Sequence, residues 1–118
     1  EPLTPILIGN HAERGDQLAM GLVMETADWL AIGIVTLMHT IDPSAIILGG
    51  AMTFGRDEHP VGRAFLDRID TCVRSHTFPT LAKKTALRFA TLGGNAGSIG
   101  AAGIGRLMWK QQISQTQA

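Results

Sequence analysis

Two short apolar runs, each leaving through a pair of glycines into a helical pattern, constrain this chain more than any other feature. Ala45 to Leu48 (AIIL) exits through Gly49-Gly50, and the alternating run 85–91 (TALRFAT) exits, past Leu92, through Gly93-Gly94. A wholly apolar, β-branched run entered from a helix suits a strand buried on both faces of a parallel sheet. A helix after each strand gives the order helix, strand, helix, strand, helix. That is a βαβα unit, whose crossover is right-handed. The fold class is therefore α/β with a small parallel sheet. So thin a sheet is expected to gain strands from a longer parent or from another chain.

Punctuation residues place the remaining elements. Pro2 and Pro5 make an irregular lead-in to a helix over 6–13, which stops at Gly15. Asp16 is suited to cap the next helix, because its carboxylate can accept from the free amides of the first turn. That helix runs over 17–40. It is amphipathic through Leu18, Leu22, Glu25, Trp29 and Ile32, then apolar all round, and so is expected to be buried on more than one side. Asp42-Pro43 ends it, since proline disfavours helical geometry in the residue before it. After a polar loop over 53–59, Pro60 enters a helix at 61–76 whose Val61, Phe65, Ile69 and Val73 recur at helical spacing. Residues 77–80 break the chain around Pro79. A last helix covers 95–111, and 112–118 is expected to fray. This helix holds Ala96, Gly97, Gly100, Ala101, Gly103 and Gly105. Each interior glycine costs about 1 kcal/mol relative to alanine. Close packing on the long helix near Gly33 would account for them, which leaves only the first turn, Gly94 to Ser98, open to a ligand.

Composition excludes several function classes. A chain of 118 residues has room for one domain and one core. Ten basic and ten acidic side chains cancel without runs of one sign, which argues against a nucleic-acid or anionic-membrane surface. The longest apolar run, 29–38, is about half the roughly 20 residues that span a bilayer. No basic segment precedes an apolar stretch at the start, and there is no initiator Met, so a piece of a larger soluble protein is expected. The single cysteine, Cys72, excludes an internal disulfide and fits a reducing cytoplasm. His11, His39, His59 and His76 lack the spacing of a helical metal site, so no metal ligand is assigned. Cys72 reads as a packing thiol with no histidine placed to activate it. Asp42, Asp57, Asp67 and Asp70 read as a helix stop, a loop acid and a solvated helix face. Arg14-Gly15-Asp16 closes one helix and caps the next. No catalytic residue is assigned.

The glycine turns are the candidate ligand site. Both lie at the carboxyl ends of the expected parallel strands, where open α/β sheets bind ligands. At Gly49-Gly50-Ala51 the lack of side chains lets backbone amides approach a ligand closely. At Gly93-Gly94-Asn95 a helix N-terminus follows, whose free amides favour an anion. The same glycines would also serve as sharp strand exits alone. Spacing does not separate the two readings, because the segments are neither a P-loop nor a dinucleotide fingerprint.

Four segments in order resemble the ROK (repressor, ORF, kinase) family. They are Ala12-Glu13-Arg14-Gly15-Asp16 with Ala19; Ile41-Asp42-Pro43; Ile46-Ile47-Leu48-Gly49-Gly50; and 92–102, LGGNAGSIGAA. The resemblance runs from about Ala12 to Leu107. It implies the actin-like ATPase (ribonuclease-H-like) architecture, of which this chain would be a C-terminal part. It implies a glucokinase-like sugar kinase that transfers a phosphoryl group from ATP, with Mg2+, to a hexose hydroxyl. It carries nucleotide binding to Gly49, Gly50, Ala51, Gly93, Gly94 and Asn95. The family's catalytic aspartate, phosphate loop and sugar contacts would lie upstream of Glu1, so the chain alone is expected to be inactive. Two departures, His39 in place of asparagine and Ala51 in place of a third glycine, fall near the expected nucleotide face. The alternative within the family is the sugar-sensing domain of a transcriptional repressor. As a binding module, the chain would bury its long apolar helix in a homodimer. No nucleic-acid or membrane partner is expected.

Overall fold

A computed structural model describes residues 2–50 and 52–116; Ala51, one of the expected nucleotide contacts, lies outside the described residues. The first helix, α1 (Pro5–Glu13), is capped by Thr4, whose hydroxyl accepts from the Leu7 amide at 3.2 Å. Gly15 takes φ +87° between α1 and α2, a turn that only a residue without a Cβ makes cheaply. Asp16 then caps α2 (Gln17–Ile41) by accepting from the Leu18 and Ala19 amides at 2.9 and 3.1 Å. The Arg-Gly-Asp tripeptide thus has the punctuating role expected of it. Asp42 closes α2 in the left-handed region, at φ 46° and ψ 58°.

The core is a seam between α2 and α3 (Pro60–His76). Ala19, Val23, Ala27, Ala31, Ile34 and Met38 form one buried stripe of α2, and Val61, Phe65, Ile69 and Val73 answer it from α3. The alanines let the helices approach closely, and fully burying Phe65 or Ile69 contributes about 1.5–3 kcal/mol each. This corrects the expectation that α2 is buried on more than one side. Trp29 is 68% exposed, and Leu18, Ile32, Leu37 and Ile41 also face outward. At 25 residues, with a mean hydropathy of 1.6 over an 18-residue stretch, α2 is long and apolar enough to cross a membrane on length and composition alone. In this fold its stripe packs on α3, and its Asp28 carboxylate takes two hydrogen bonds from Arg68, at 2.7 and 2.8 Å.

β1 (Ala45–Leu48) and β2 (Ala86–Phe89) pair in parallel, Ala45 with Ala86 through Leu48 with Phe89. In that register Ile46, Leu48, Leu87 and Phe89 face the core. Ile47, 58% exposed, sits opposite the exposed Arg88. The sheet is therefore covered on one face, not on both as a wholly apolar run suggested. A short helix, α4 (Pro79–Lys84), precedes β2 where a break around Pro79 was expected. It is tied to α3 by the Arg74 guanidinium, which donates to the Ala82 carbonyl at 2.5 Å. β2 is correspondingly shorter than 85–91. Thr85 is buried ahead of it and donates to the Pro43 carbonyl at 2.9 Å.

The last helix, α5 (Ala96–Thr116), continues past the expected end at Gln111. It does not pack on α2. Residues 96–114 are all exposed, and no described residue lies within 4 Å of where a Cβ would stand on Gly97, Gly100, Gly103, Gly105 or Gly33.

Candidate functional site

The parallel ladder sets both glycine exits side by side. The Ala90 amide donates to the Leu48 carbonyl at 2.7 Å and carries the pairing one residue beyond β2. A Cβ on Gly49 would sit 3.4 Å from that of Ala90, so the first exit runs alongside the second. Gly50 then turns with φ +89° and Gly93 with φ +54°. A single 3-10 turn, Gly93–Asn95, leads into α5, and the Asn95 amide closes it on the Leu92 carbonyl at 3.2 Å.

Between the exits lies an open cleft of about 360 Å³, lined by Gly49, Gly50, Thr53, Arg56, Ala90, Gly93 and Gly94. Four of the six residues singled out from sequence are therefore brought together. Asn95 shapes the turn but does not line the cleft. Backbone without side chains forms most of the wall, and α5 begins beside it. Such an arrangement offers amide donors and a positive dipole end to an anion.

Thr53 and Arg56 were not singled out from sequence. Among the described residues Arg56 is the one charged side chain lining the cleft, and it is 35% exposed. Its Nη1 donates to the Ala90 carbonyl at 3.3 Å, its Nε lies 3.7 Å from Glu58, and a Cβ on Gly93 would stand 3.9 Å from Nη1. The guanidinium thus spans the gap from the loop after β1 to the exit of β2. Phe54, Gly55 and Arg56 all take positive φ, at 46°, 82° and 55°. That loop is anchored by Phe54, which meets Phe65 edge-on at 4.9 Å between ring centroids. It also lies directly on Gly62, where a Cβ would stand 2.1 Å from the Arg56 carbonyl oxygen. From sequence this stretch reads only as a polar loop leading into Pro60.

Other residues fall elsewhere. His39 is not on the cleft. Its Nε2 lies 2.9 Å from the Thr77 hydroxyl and its ring meets Phe78 at a tilt, 4.9 Å between centroids, at the end of the sheet where the strands begin. Cys72 does have a histidine one turn on, which the sequence reading overlooked: Sγ lies 3.6 Å from His76 Nδ1. That nitrogen is closer, at 2.8 Å, to the Cys72 carbonyl, to which it can only donate. A nitrogen that donates there cannot take the thiol proton. A smaller cavity of about 160 Å³ is bounded by α1 and the loop, with Glu13 and His59 on its wall. There Glu13 Oε1 accepts from the Val61 amide at 3.1 Å and so caps α3 from another helix. Among the described residues, no three His, Cys, Asp or Glu side chains converge as a metal site requires.

The cleft residues do not fit a magnesium site of their own. They supply the Thr53 hydroxyl and main-chain carbonyls but no carboxylate, and Mg2+ is ordinarily bound through one or two carboxylates together with substrate phosphates.

The sequence profile described as the ROK family matches residues 1–107. An uncharacterised protein of Clostridium perfringens is 32% identical over 92 residues, covering 78% of this chain and 29% of its own length. A glucokinase of Halalkalibacterium halodurans is 30% identical over 98 residues, covering 83% of this chain and 28% of its own. The crystal structure of a candidate sugar kinase from Cytophaga hutchinsonii superposes with a TM-score of 0.73 at 25% identity, covering 87% of this chain and 32% of that one. The chain thus spans less than a third of the length of each of these relatives.

Proposed function

The chain belongs to the ROK family, and from that membership we propose that it forms the nucleotide side of an ATP-dependent sugar kinase of the glucokinase kind, working in the cytoplasm. The observation that carries the proposal is the cleft itself. Two glycine exits of adjacent parallel strands, a helix start and one arginine converge on about 360 Å³ of open space. The similarity to a glucokinase and to a candidate sugar kinase supports the same reading.

The parts divide the work as phosphoryl transfer requires. That reaction is catalysed mainly by positioning and by charge stabilisation. Gly49 and Gly50 would let the main chain lie against the nucleotide, and Gly93 and Gly94 would present amides at the start of α5. Asn95 would hold the turn, and Ala51 would continue the first exit. Any Mg2+ would travel with the nucleotide's phosphates and neutralise their charge. No residue of the cleft is placed to take a proton from a sugar hydroxyl, so the 118-residue chain by itself is expected to turn over no sugar.

The test is sugar-dependent ADP formation by the natural full-length protein, across a panel of hexoses, beside the 118-residue chain alone. Turnover by the former and none by the latter is the expected result. Specific DNA binding that responds to sugar, with no turnover, would instead establish the repressor reading. Turnover by the 118-residue chain would contradict the division of labour proposed.

A further inference from the structure

We propose that Arg56 is the residue through which this cleft selects the phosphate chain of a nucleoside polyphosphate; the proposal rests on the nucleotide reading of the cleft. Three observations converge on it. Among the described residues Arg56 is the cleft's only charged side chain, and its guanidinium stands over Gly93, at the exit that starts α5. An anion there would meet the guanidinium and the main-chain amides of that turn together, and a planar guanidinium binds phosphate through paired hydrogen bonds.

The side chain is held in place but not used up. Its bond to the Ala90 carbonyl is long, at 3.3 Å, and its approach to Glu58 is longer, at 3.7 Å, with Glu58 itself mostly exposed. Of the five N–H donors a guanidinium carries, these contacts engage Nη1 and, loosely, Nε. The remaining donors have no protein partner in the geometry just described and are free to meet an anion in the cleft.

The backbone supporting it is held in a tight turn, closed by the Arg56 amide donating to the Thr53 carbonyl at 2.8 Å. Arg56 takes φ +55°, directly after Phe54 and Gly55, both also in the left-handed region. Such positions cost about 1 kcal/mol or more for residues with a Cβ, and they gather at ligand sites. Gly62 permits this arrangement by accepting the Arg56 carbonyl where a side chain would stand. Turned this way, Arg56 reaches back across the strand exits and not out to solvent.

The experiment compares the affinities of ADP and adenosine for the natural full-length protein, by calorimetric titration, in wild type, Arg56→Lys and Arg56→Asn. Asparagine tolerates the left-handed region, so the last variant removes the cation without straining the loop; thermal unfolding without ligand checks that it folds. The expected result is a loss of about tenfold or more in ADP affinity for Arg56→Asn, the size of one hydrogen bond to a charged group. Adenosine binding should stay unchanged, and Arg56→Lys should recover part of the loss. Equal losses for ADP and adenosine, or none for either, would overturn the role given to Arg56. A wild-type protein that binds neither ligand would instead overturn the nucleotide reading on which the proposal stands.

Discussion

Gly62 shows how one missing side chain can set the position of a distant charge. It lies in the first turn of α3, buried, and a Cβ there would stand 2.1 Å from the Arg56 carbonyl oxygen, 2.7 Å from its amide nitrogen and 2.8 Å from the Phe54 carbonyl oxygen. All three are main-chain atoms, so no rotamer change relieves the contact. Helix propensity alone would favour Gly62→Ala by up to about 1 kcal/mol. Overpacking against a fixed backbone costs typically about 1–3 kcal/mol. The clash therefore wins, and Gly62→Ala is expected to lower the urea unfolding midpoint and to weaken ADP binding along with it. A variant as stable as wild type would show that the loop yields more easily than its contacts imply. The sequence signals at this scale were uneven. Asp16 as a cap and Asp42 as a stop follow from local chemistry, because each acts on amides within a turn of itself. Arg56 and Glu13 act across 34 and 48 residues of chain, on Ala90 and Val61, and no local pattern carries that information.

Among elements, the seam between α2 and α3 was readable because helical periodicity survives in Val61, Phe65, Ile69 and Val73, and both strands were readable from their apolar spelling. The number of covered faces was not. Ile47 is as apolar as its half-buried neighbours Ile46 and Leu48 and yet is exposed, and spelling does not say which neighbours a chain brings. α4 was missed because its six residues follow a proline and are too few to show a period. The seam also carries a charge device. The Asp28 carboxyl is held below its ordinary range, first by its hydrogen bonds from Arg68 and then by the positive charge of that side chain. A carboxyl with a lowered folded pKa stabilises the fold fully above its unfolded pKa, and loses that contribution as the pH falls through the folded value. The pair is solvent-exposed, so the contribution is small, but its pH dependence identifies it. Thermal midpoints of wild type and Asp28→Asn should differ at pH 6 and converge as the pH falls through the folded value. A difference that persists unchanged in acid would mean that asparagine perturbs packing and not charge.

At the scale of the molecule, the shape is extended. The radius of gyration is 18.6 Å and the extents are 65 × 41 × 22 Å, where a compact domain of this length has a radius near 13–14 Å. α5 accounts for much of the excess, with Ile104, Leu107, Met108 and Trp109 exposed along it, and Trp29, Ile32 and Leu37 are exposed on α2. The glycines of α5 predicted close packing from their cost in a helix. Among the described residues they have no neighbour within 4 Å of where a Cβ would stand. Contiguous apolar surface of this kind mediates association. The 118-residue chain in isolation is therefore expected to self-associate, with an apparent mass by light scattering that rises with concentration. Because both faces are apolar, a charge placed on either one should weaken the association, and Trp109→Glu and Trp29→Glu should each shift the rise to higher concentration. A mass fixed at that of one chain across the concentration range would show that these faces do not satisfy one another. Their cover would then have to be a surface of different shape.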